Sequence, residues 1–185
     1  KNKEDIIELV DFARKNKMPL IPRAGGTSLA GQVVGKGLVV DVSKHFNQII
    51  DFDSKAKKIV VQPGMVRDDL NDFLAPYQLF FGPNTSTSNR CTIGGMTGNN
   101  SSGTTSIKYG VTRDKVLALE CVLYDGSVVT FEDLTVEQYR EKEKQQNLEG
   151  DIYRFIVEKL SDPLHQENIR SEYPQASVHR RNSGY

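Results

Sequence analysis

Cysteine is scarce in this chain. Only Cys91 and Cys121 occur, too few for a disulfide framework or a four-thiolate cluster. The simplest reading is a reducing, cytoplasmic compartment, with each thiol serving as a small buried hydrophobe. Charge of one sign is not in excess either: 24 Lys and Arg stand against 24 Asp and Glu. No overall field therefore draws the chain to nucleic acid or to an anionic membrane. Long hydrophobic runs are missing, and none approaches the length of a membrane span. The opening "KNKEDIIELV" has no signal-peptide core. It also has no initiator Met, and the sequence breaks off at "RRNSGY", so a piece of a longer protein is expected. His45, His165 and His179 have no evident partners and are expected to be surface or core residues. No group of metal-ligand spacing is found, and no metal is expected.

Two common phosphate motifs are lacking too. A P-loop needs Gly, four residues, then Gly-Lys and a hydroxyl residue. The nearest stretch, "GQVVGKG", has one residue too few and Gly37 where the hydroxyl should stand. The G-x-G-x-x-G dinucleotide fingerprint is begun by "GKGLVV" and not completed.

What is present is the composition of a folded protein, 37% hydrophobic and 26% charged over 185 residues, with length for one domain of two lobes. "KEDIIELVDFARKNK" has apolar residues at helical spacing, acids early and bases late. "MPLIPR", "GLVVDVS", "NQIIDFD" and "KKIVVQPG" read as strands. "VRDDLNDFLAPY" reads as an amphipathic helix stopped at Pro76. "KVLALECVLYDGSVVTF" reads as a hairpin turning at Asp125-Gly126. "TVEQYREKEKQQ" and "GDIYRFIVEKLSD" read as charged helices, followed by a tail with little pattern. The sum is an α+β fold. Its expected lobes are residues 1–57 and 58–185, joined near the fourth strand.

Two segments stand out. "PRAGGTSLAGQ" follows the first strand, and residues 82–112 form a long run dense in Gly, Ser, Thr and Asn. A structureless loop of that length is uncommon unless it serves a purpose. Bare backbone after a strand exposes consecutive N–H groups with no Cβ in the way, a nest that favours an anion. The amides of Gly25, Gly26, Thr27 and Ser28, with two hydroxyls, suit phosphate oxygens. Taken alone, such a loop is equally a tight turn of small residues. The second segment offers Gly94, Gly95, Gly98 and Gly103 with Asn99, Asn100, Ser101 and Ser102. Two such walls match a long ligand bearing phosphates and polar ring edges, as a flavin dinucleotide does.

These stretches, with "GLVVDVS", "IVVQPGM" and "FGPNTSTSNRCTIGGMTGNNSSGTTSIKYGVTRDKVLALECVLYDGSVV", resemble the FAD-binding domain of the vanillyl-alcohol oxidase/p-cresol methylhydroxylase superfamily. Within it they look most like the FAD-linked D-2-hydroxyacid dehydrogenases of D-lactate, D-2-hydroxyglutarate and glycolate type. The tail "IRSEYPQASVHRRNSGY" resembles the large bacterial members with a C-terminal iron–sulfur domain. The resemblance implies two α+β lobes with FAD between them. It implies that Ala24, Gly25, Gly26, Thr27 and Ser28, with Gly31 and Gln32, wrap the pyrophosphate, and that Arg23 helps with its charge. It implies that Pro83, Thr92, Gly94, Gly95, Asn99, Ser101, Gly103 and Tyr109 lie along the adenosine, ribityl and flavin parts.

Relatives that attach flavin covalently through the first loop read "GGHS", where this chain has Thr27. Non-covalent FAD is therefore the expectation. The cap domain and the cysteine-rich motifs of an iron–sulfur domain are not in these residues, so any cluster is expected outside them. No catalytic side chain is assigned. The reactive atom would be flavin N5. The implied function is oxidation of a small D-2-hydroxy acid to the 2-oxo acid, with the electron acceptor open and attachment peripheral to the inner membrane a property of some relatives. Two alternatives remain: a reductase of the same fold acting on enolpyruvyl-UDP-N-acetylglucosamine, and a fragment that binds FAD without chemistry.

Overall fold

The computed structural model describes residues 1–175 and 177–178. Helix α1, Lys3–Lys15, starts at Asn2 in a capping box: the Asn2 side chain accepts from Asp5 N at 2.9 Å, and the Asp5 carboxylate accepts from Asn2 N at 3.2 Å. Acids in its first turn and bases in its last suit the helix dipole.

Strand β1, Leu20–Arg23, pairs in parallel with β2, Leu38–Asp41. Parallel neighbours cannot be joined by a tight hairpin and need a crossover of about a dozen residues or more. Residues 24–37 make that crossover without regular structure. The glycine-rich loop is thus also the connection that the sheet demands.

Strands β3, Ile49–Asp53, and β4, Lys58–Val61, form an antiparallel hairpin, with Lys57 at φ 54° in the turn. Helix α2, Arg67–Leu74, lies on it and ends in a 3₁₀ turn, Ala75–Tyr77, with Pro76 inside. Met65, Leu70 and Leu74 are buried among Ile49, Phe52, Ile59, Val61, Leu79, Phe81 and Ile93. Phe52 meets Tyr77 edge to face at 4.7 Å between ring centroids. This cluster is the principal core.

Residues 82–112 differ from the expectation of a structureless loop. They contain α3, Ile93–Gly98, and α4, Ser106–Tyr109, and run into a 3₁₀ turn at Thr112–Lys115. Glycine, Thr and Asn are poor helix formers, so sequence propensity hides these elements. Tertiary hydrogen bonds hold them instead.

The chain divides into two compact units, the first being Lys1–Val116. The second, residues 117–178 as described, begins with the hairpin of β5, Ala118–Val122, and β6, Val128–Glu132. Gly126 at φ 89° donates its N–H to Leu123 O at 2.9 Å in the turn. Three helices follow: α5, Val136–Glu143; α6, Leu148–Ser161; and α7, Pro163–Glu172. The last corrects the reading of a patternless tail. Asp162 caps it by accepting from Leu164 N at 2.8 Å, and Pro163 stands at its first position, where a missing N–H costs nothing. Tyr153 is buried beneath Tyr139, whose hydroxyl donates to Tyr153 O at 3.1 Å. Lys142 and Glu149 pair at 2.6 Å beside them.

The expected lobe boundary at 57/58 lies within the β3–β4 hairpin, whereas the compact units part at 116/117. Among the described residues no helix is long and apolar enough to cross a membrane. His179 and the "RRNSGY" stretch lie outside the described residues.

Candidate cofactor site

The site is built where β1 and β4 end. From β4 the chain turns through Pro63 and Gly64 and is stitched to the approach of α3. Gly94 N donates to Pro63 O at 2.9 Å, Ile93 N to Met65 O at 2.8 Å, and Arg67 N to Cys91 O at 3.0 Å. Gly94 sits so close to Pro63 that a Cβ there would stand 2.4 Å from the proline Cβ. Thr92, only 2% exposed, caps α3 through its hydroxyl.

The first glycine loop is seated on this same stretch. A Cβ at Gly25 would stand 2.5 Å from Arg90 O and 3.3 Å from Cys91 Cα. Ala24 Cβ faces Gly95, where a Cβ would meet it at 3.1 Å. The two glycine-rich segments that stood out in the sequence are therefore one contiguous wall within the first unit. Gly26 takes φ 63°, which glycine adopts without steric cost. Thr27 is half-buried, while Gly26, Ser28, Gly31 and Gln32 are exposed, and Ser28 Oγ donates to the Gln32 side-chain oxygen. Neither 24–37 nor 82–112 contains an Asp or Glu, and Lys36, Arg90 and Lys108 are their charged residues.

Arg23, at the end of β1, pairs with Asp41, its Cα partner across the parallel sheet. The Asp41 carboxyl is held below the usual carboxylate range, first by the Ser43 hydroxyl and amide and then by Arg23.

Beyond α3 the chain bends at Asn100, which is 1% exposed and has φ 43°. Its Oδ1 accepts from Arg113 N at 3.1 Å. Ser101 O accepts from Thr112 N at 3.0 Å and from the Thr112 hydroxyl at 2.7 Å. Asn99 is exposed at the end of α3, and Ser101 is half-buried after it. Pro83 is fully buried, and its carbonyl accepts from Arg67 Nε at 3.2 Å. Gly103 lies against Asn84 O, where a Cβ would come within 1.8 Å. Tyr109 packs edge to face on Phe80 at 5.0 Å, with the Lys108 ammonium over its ring at 5.2 Å.

The residues singled out in the sequence thus fall into two groups. Arg23, Ala24, Gly25, Gly26, Thr27, Ser28, Gly31 and Gln32 make up the first loop and its start, with Gly95 against Ala24 and with Asn99 and Ser101 at the end of α3. Pro83, Thr92, Gly94, Gly103 and Tyr109 are committed to packing that builds the wall. Thr112 and Arg67 were not singled out, and Asn100, expected only as one of the segment's polar groups toward a ligand, is instead buried; all three hold the second segment in place. An Asn after a short helix is a signal for a left-handed residue, which could have found the structural role of Asn100.

Cys91 is buried, its sulfur 3.5 Å from Met96 Sδ and 3.2 Å from the Thr85 hydroxyl, as expected of a small hydrophobe. Burial raises the Cys121 thiol pKa, with Glu120 adding to it. His45 is exposed, and so is His165, which lies 3.2 Å from Lys159 O at the start of α7. Among the described residues no cluster of His, Cys, Asp and Glu could hold a metal ion.

The wall fits a ligand of FAD type on three counts: exposed residues at Gly26 and Ser28 of the first loop, no carboxylate in either segment, and glycines whose missing side chains let the segments touch. Comparison with known proteins agrees. A D-2-hydroxyglutarate dehydrogenase of Pantoea ananatis is 34% identical over 170 residues, which is 92% of this chain and 16% of that enzyme. A mitochondrial D-lactate dehydrogenase (cytochrome) of Saccharomyces cerevisiae is 33% identical over 151 residues, 80% of this chain and 25% of the yeast protein. The fold matches that of 6-hydroxy-D-nicotine oxidase from Arthrobacter nicotinovorans with a TM-score of 0.63 at 23% identity, over 71% of this chain and 28% of the oxidase. The chain therefore spans a small part of the relatives it matches. The family model described as FAD binding domain matches residues 1–132, and the chain belongs to that family of flavin-binding domains.

Proposed function

We propose that this chain is the FAD-binding portion of a flavoprotein dehydrogenase that oxidises a D-2-hydroxy acid, D-2-hydroxyglutarate or D-lactate, to the 2-oxo acid. The observation that carries the reading is the seat of Gly25 on Arg90 and Cys91, which joins the two carboxylate-free glycine segments into one surface. The enzymes similar to it over most of its length, a D-2-hydroxyglutarate dehydrogenase and a D-lactate dehydrogenase, support the substrate class.

In this reading Gly25, Gly26, Thr27 and Ser28 donate N–H and O–H groups to the pyrophosphate, with Gly31 and Gln32 flanking and Arg23 adding charge. Gly95, Asn99 and Ser101 lie along the adenosine, ribityl and flavin parts. Pro83, Thr92, Gly94, Gly103 and Tyr109 serve by fixing the course of that backbone. When bound, the flavin supplies a hydride acceptor at N5. The chain's own residues orient it and neutralise its phosphates. The flavin is held non-covalently: Thr27 offers no ring nitrogen for attachment, and the Cys91 sulfur is buried against Met96. The residues that take the substrate proton, and any iron–sulfur cluster, belong to parts of the longer protein outside this chain.

The test is an absorbance spectrum of the purified full-length protein, before and after anaerobic addition of D-2-hydroxyglutarate and D-lactate. A flavin band that bleaches with one acid is the expected result and names the substrate. A band that ignores both and bleaches with a nicotinamide donor would replace the dehydrogenase with a reductase of the same fold. No band, even after incubation with FAD, would overturn the cofactor assignment.

A further inference from the structure

The first loop leaves β1 at Arg23, and the guanidinium folds forward over it. A Cβ at Gly26 would stand 3.0 Å from Arg23 Nε and 3.2 Å from Nη2. Arg23 Nη1 is taken by Asp41 Oδ2, while Nε and Nη2 hold no hydrogen bond among the described residues. The Arg23 side chain remains 41% exposed on this face.

Asp41 is itself fixed. Its Oδ1 accepts from Ser43 N at 2.8 Å and from Ser43 Oγ at 2.6 Å, which leaves Oδ2 aimed at Arg23. The parallel register sets Arg23 opposite Asp41, and Val42 N donates to Arg23 O at 3.0 Å, so both strand ends are held together where the loop begins. A guanidinium has five N–H donors in a rigid fork. Here part of the fork is anchored and the rest lies over the backbone of Gly26.

We infer that Asp41 and Ser43 are positioning residues. They lock the Arg23 fork so that Nε–H and Nη2–H are presented to a diphosphate oxygen resting on the Gly25–Ser28 backbone. The inference rests on the FAD reading above and deepens it. The diphosphate is bound by a two-part device, a backbone nest and an arginine pre-oriented by the neighbouring strand. Pre-orientation limits the side-chain entropy lost when the ligand arrives. A lysine at this position would carry the charge without the fork.

The experiment is a double-mutant cycle on full-length apoprotein, read by quenching of flavin fluorescence on FAD binding and by the melting temperature without FAD. Arg23→Met is expected to weaken FAD binding by about tenfold or more, the scale of a lost charge-assisted hydrogen bond. Arg23→Lys should recover only part of that. Asp41→Asn and Ser43→Ala should each weaken binding several-fold, and Asp41→Asn should cost nothing further in the Arg23→Met background. ADP, which carries the diphosphate without the flavin, should lose competing strength in the same order.

Equal losses from Asp41→Asn in both backgrounds would make Asp41 a merely structural residue and overturn the inference, as would Arg23→Met binding FAD within twofold of wild type. If wild type binds FAD and only the variants behave unexpectedly, the positioning role fails and the FAD reading stands. If wild type binds no FAD, both fail. Should Asp41→Asn lower the melting temperature, Ser43→Ala, which keeps the ion pair and frees its orientation, carries the test.

Discussion

At Gly26 the backbone takes φ 63°, and the space a side chain would enter holds the Arg23 guanidinium. A β-branched residue is an outlier at such a φ. Gly26→Val is therefore expected to strip FAD from the full-length protein, measured as flavin per polypeptide after purification. A variant that kept stoichiometric FAD would remove the first loop from the site. Its neighbour Gly25 is constrained by a different thing, the carbonyl of Arg90 at 2.5 Å from any Cβ. Backbone cannot swing aside as a side-chain tip can, so Gly25→Ala should destabilise the first unit by about 1–3 kcal/mol, the usual cost of overpacking. Gly98, at the end of α3, has nothing within 4 Å of its Cβ direction. Gly98→Ala should hold or raise the denaturation midpoint of the apoprotein, since Ala is the better helix former by up to about 1 kcal/mol. The paired measurement separates glycines that seat the loop from one that faces open space.

Among the elements, α1, the strands β1 to β6 and α2 were legible because their apolar residues recur with the period of a helix or crowd into short β-rich runs. The two glycine-rich segments were legible as exceptional, and their meeting was not. It depends on hydrogen bonds between residues 63–67 and 91–94, which no local pattern encodes. Helices α3 and α4 were hidden for the same reason, being short and built from residues that do not favour helix. Helix α7 was missed although Asp162-Pro163 spells a start signal. The hinge after α3 relies on a buried amide. Asn100→Ala would leave Arg113 N without its acceptor and place Ala at φ 43°. A loss of about 1–3 kcal/mol is expected, the scale of an unsatisfied buried group. Chemical denaturation of the apoprotein measures it, and a loss under half a kilocalorie would show the bend to be held elsewhere.

Across the whole molecule, the carboxylates held low lie in the first unit and at Asp162, which the Leu164 and His165 amides lower at the start of α7, whereas the groups held high lie between residues 118 and 161. In the first, Asp68 is held below its ordinary value of 3.8 by Arg67 and then Ser88, and Asp41 by Ser43 and then Arg23. Lowered folded values mean stability that is present above pH 3.8 and lost as pH falls through them. In the second unit, Lys142 is raised above 10.5 by Glu149, and burial raises Tyr139 and Tyr153 above 10.0. Raised folded values mean stability that is fully present below the ordinary value and lost as pH climbs through the folded one. Hydrogen exchange by mass spectrometry should therefore show residues 118–161 loosening first in alkali and residues 20–92 first in acid. Lys142→Met should lower protection of the second unit at neutral pH and shrink its alkaline loss. Simultaneous loosening of residues 20–92 and 118–161 at each extreme would reject this division.

The seat of Gly25 also sets an order of assembly. The second unit is made from neighbours along the chain, a tight hairpin and successive helices, the short-range contacts that form fast. The first loop leaves the ribosome early yet finds its support only when Arg90, Cys91 and α3 have followed it out. Until then β1 carries an unanchored crossover, and the surface proposed for the diphosphate does not exist. In the reading proposed above, flavin that meets a nascent chain before α3 has emerged finds no completed wall, so the emergence of α3 is the earliest point at which this surface can take a diphosphate.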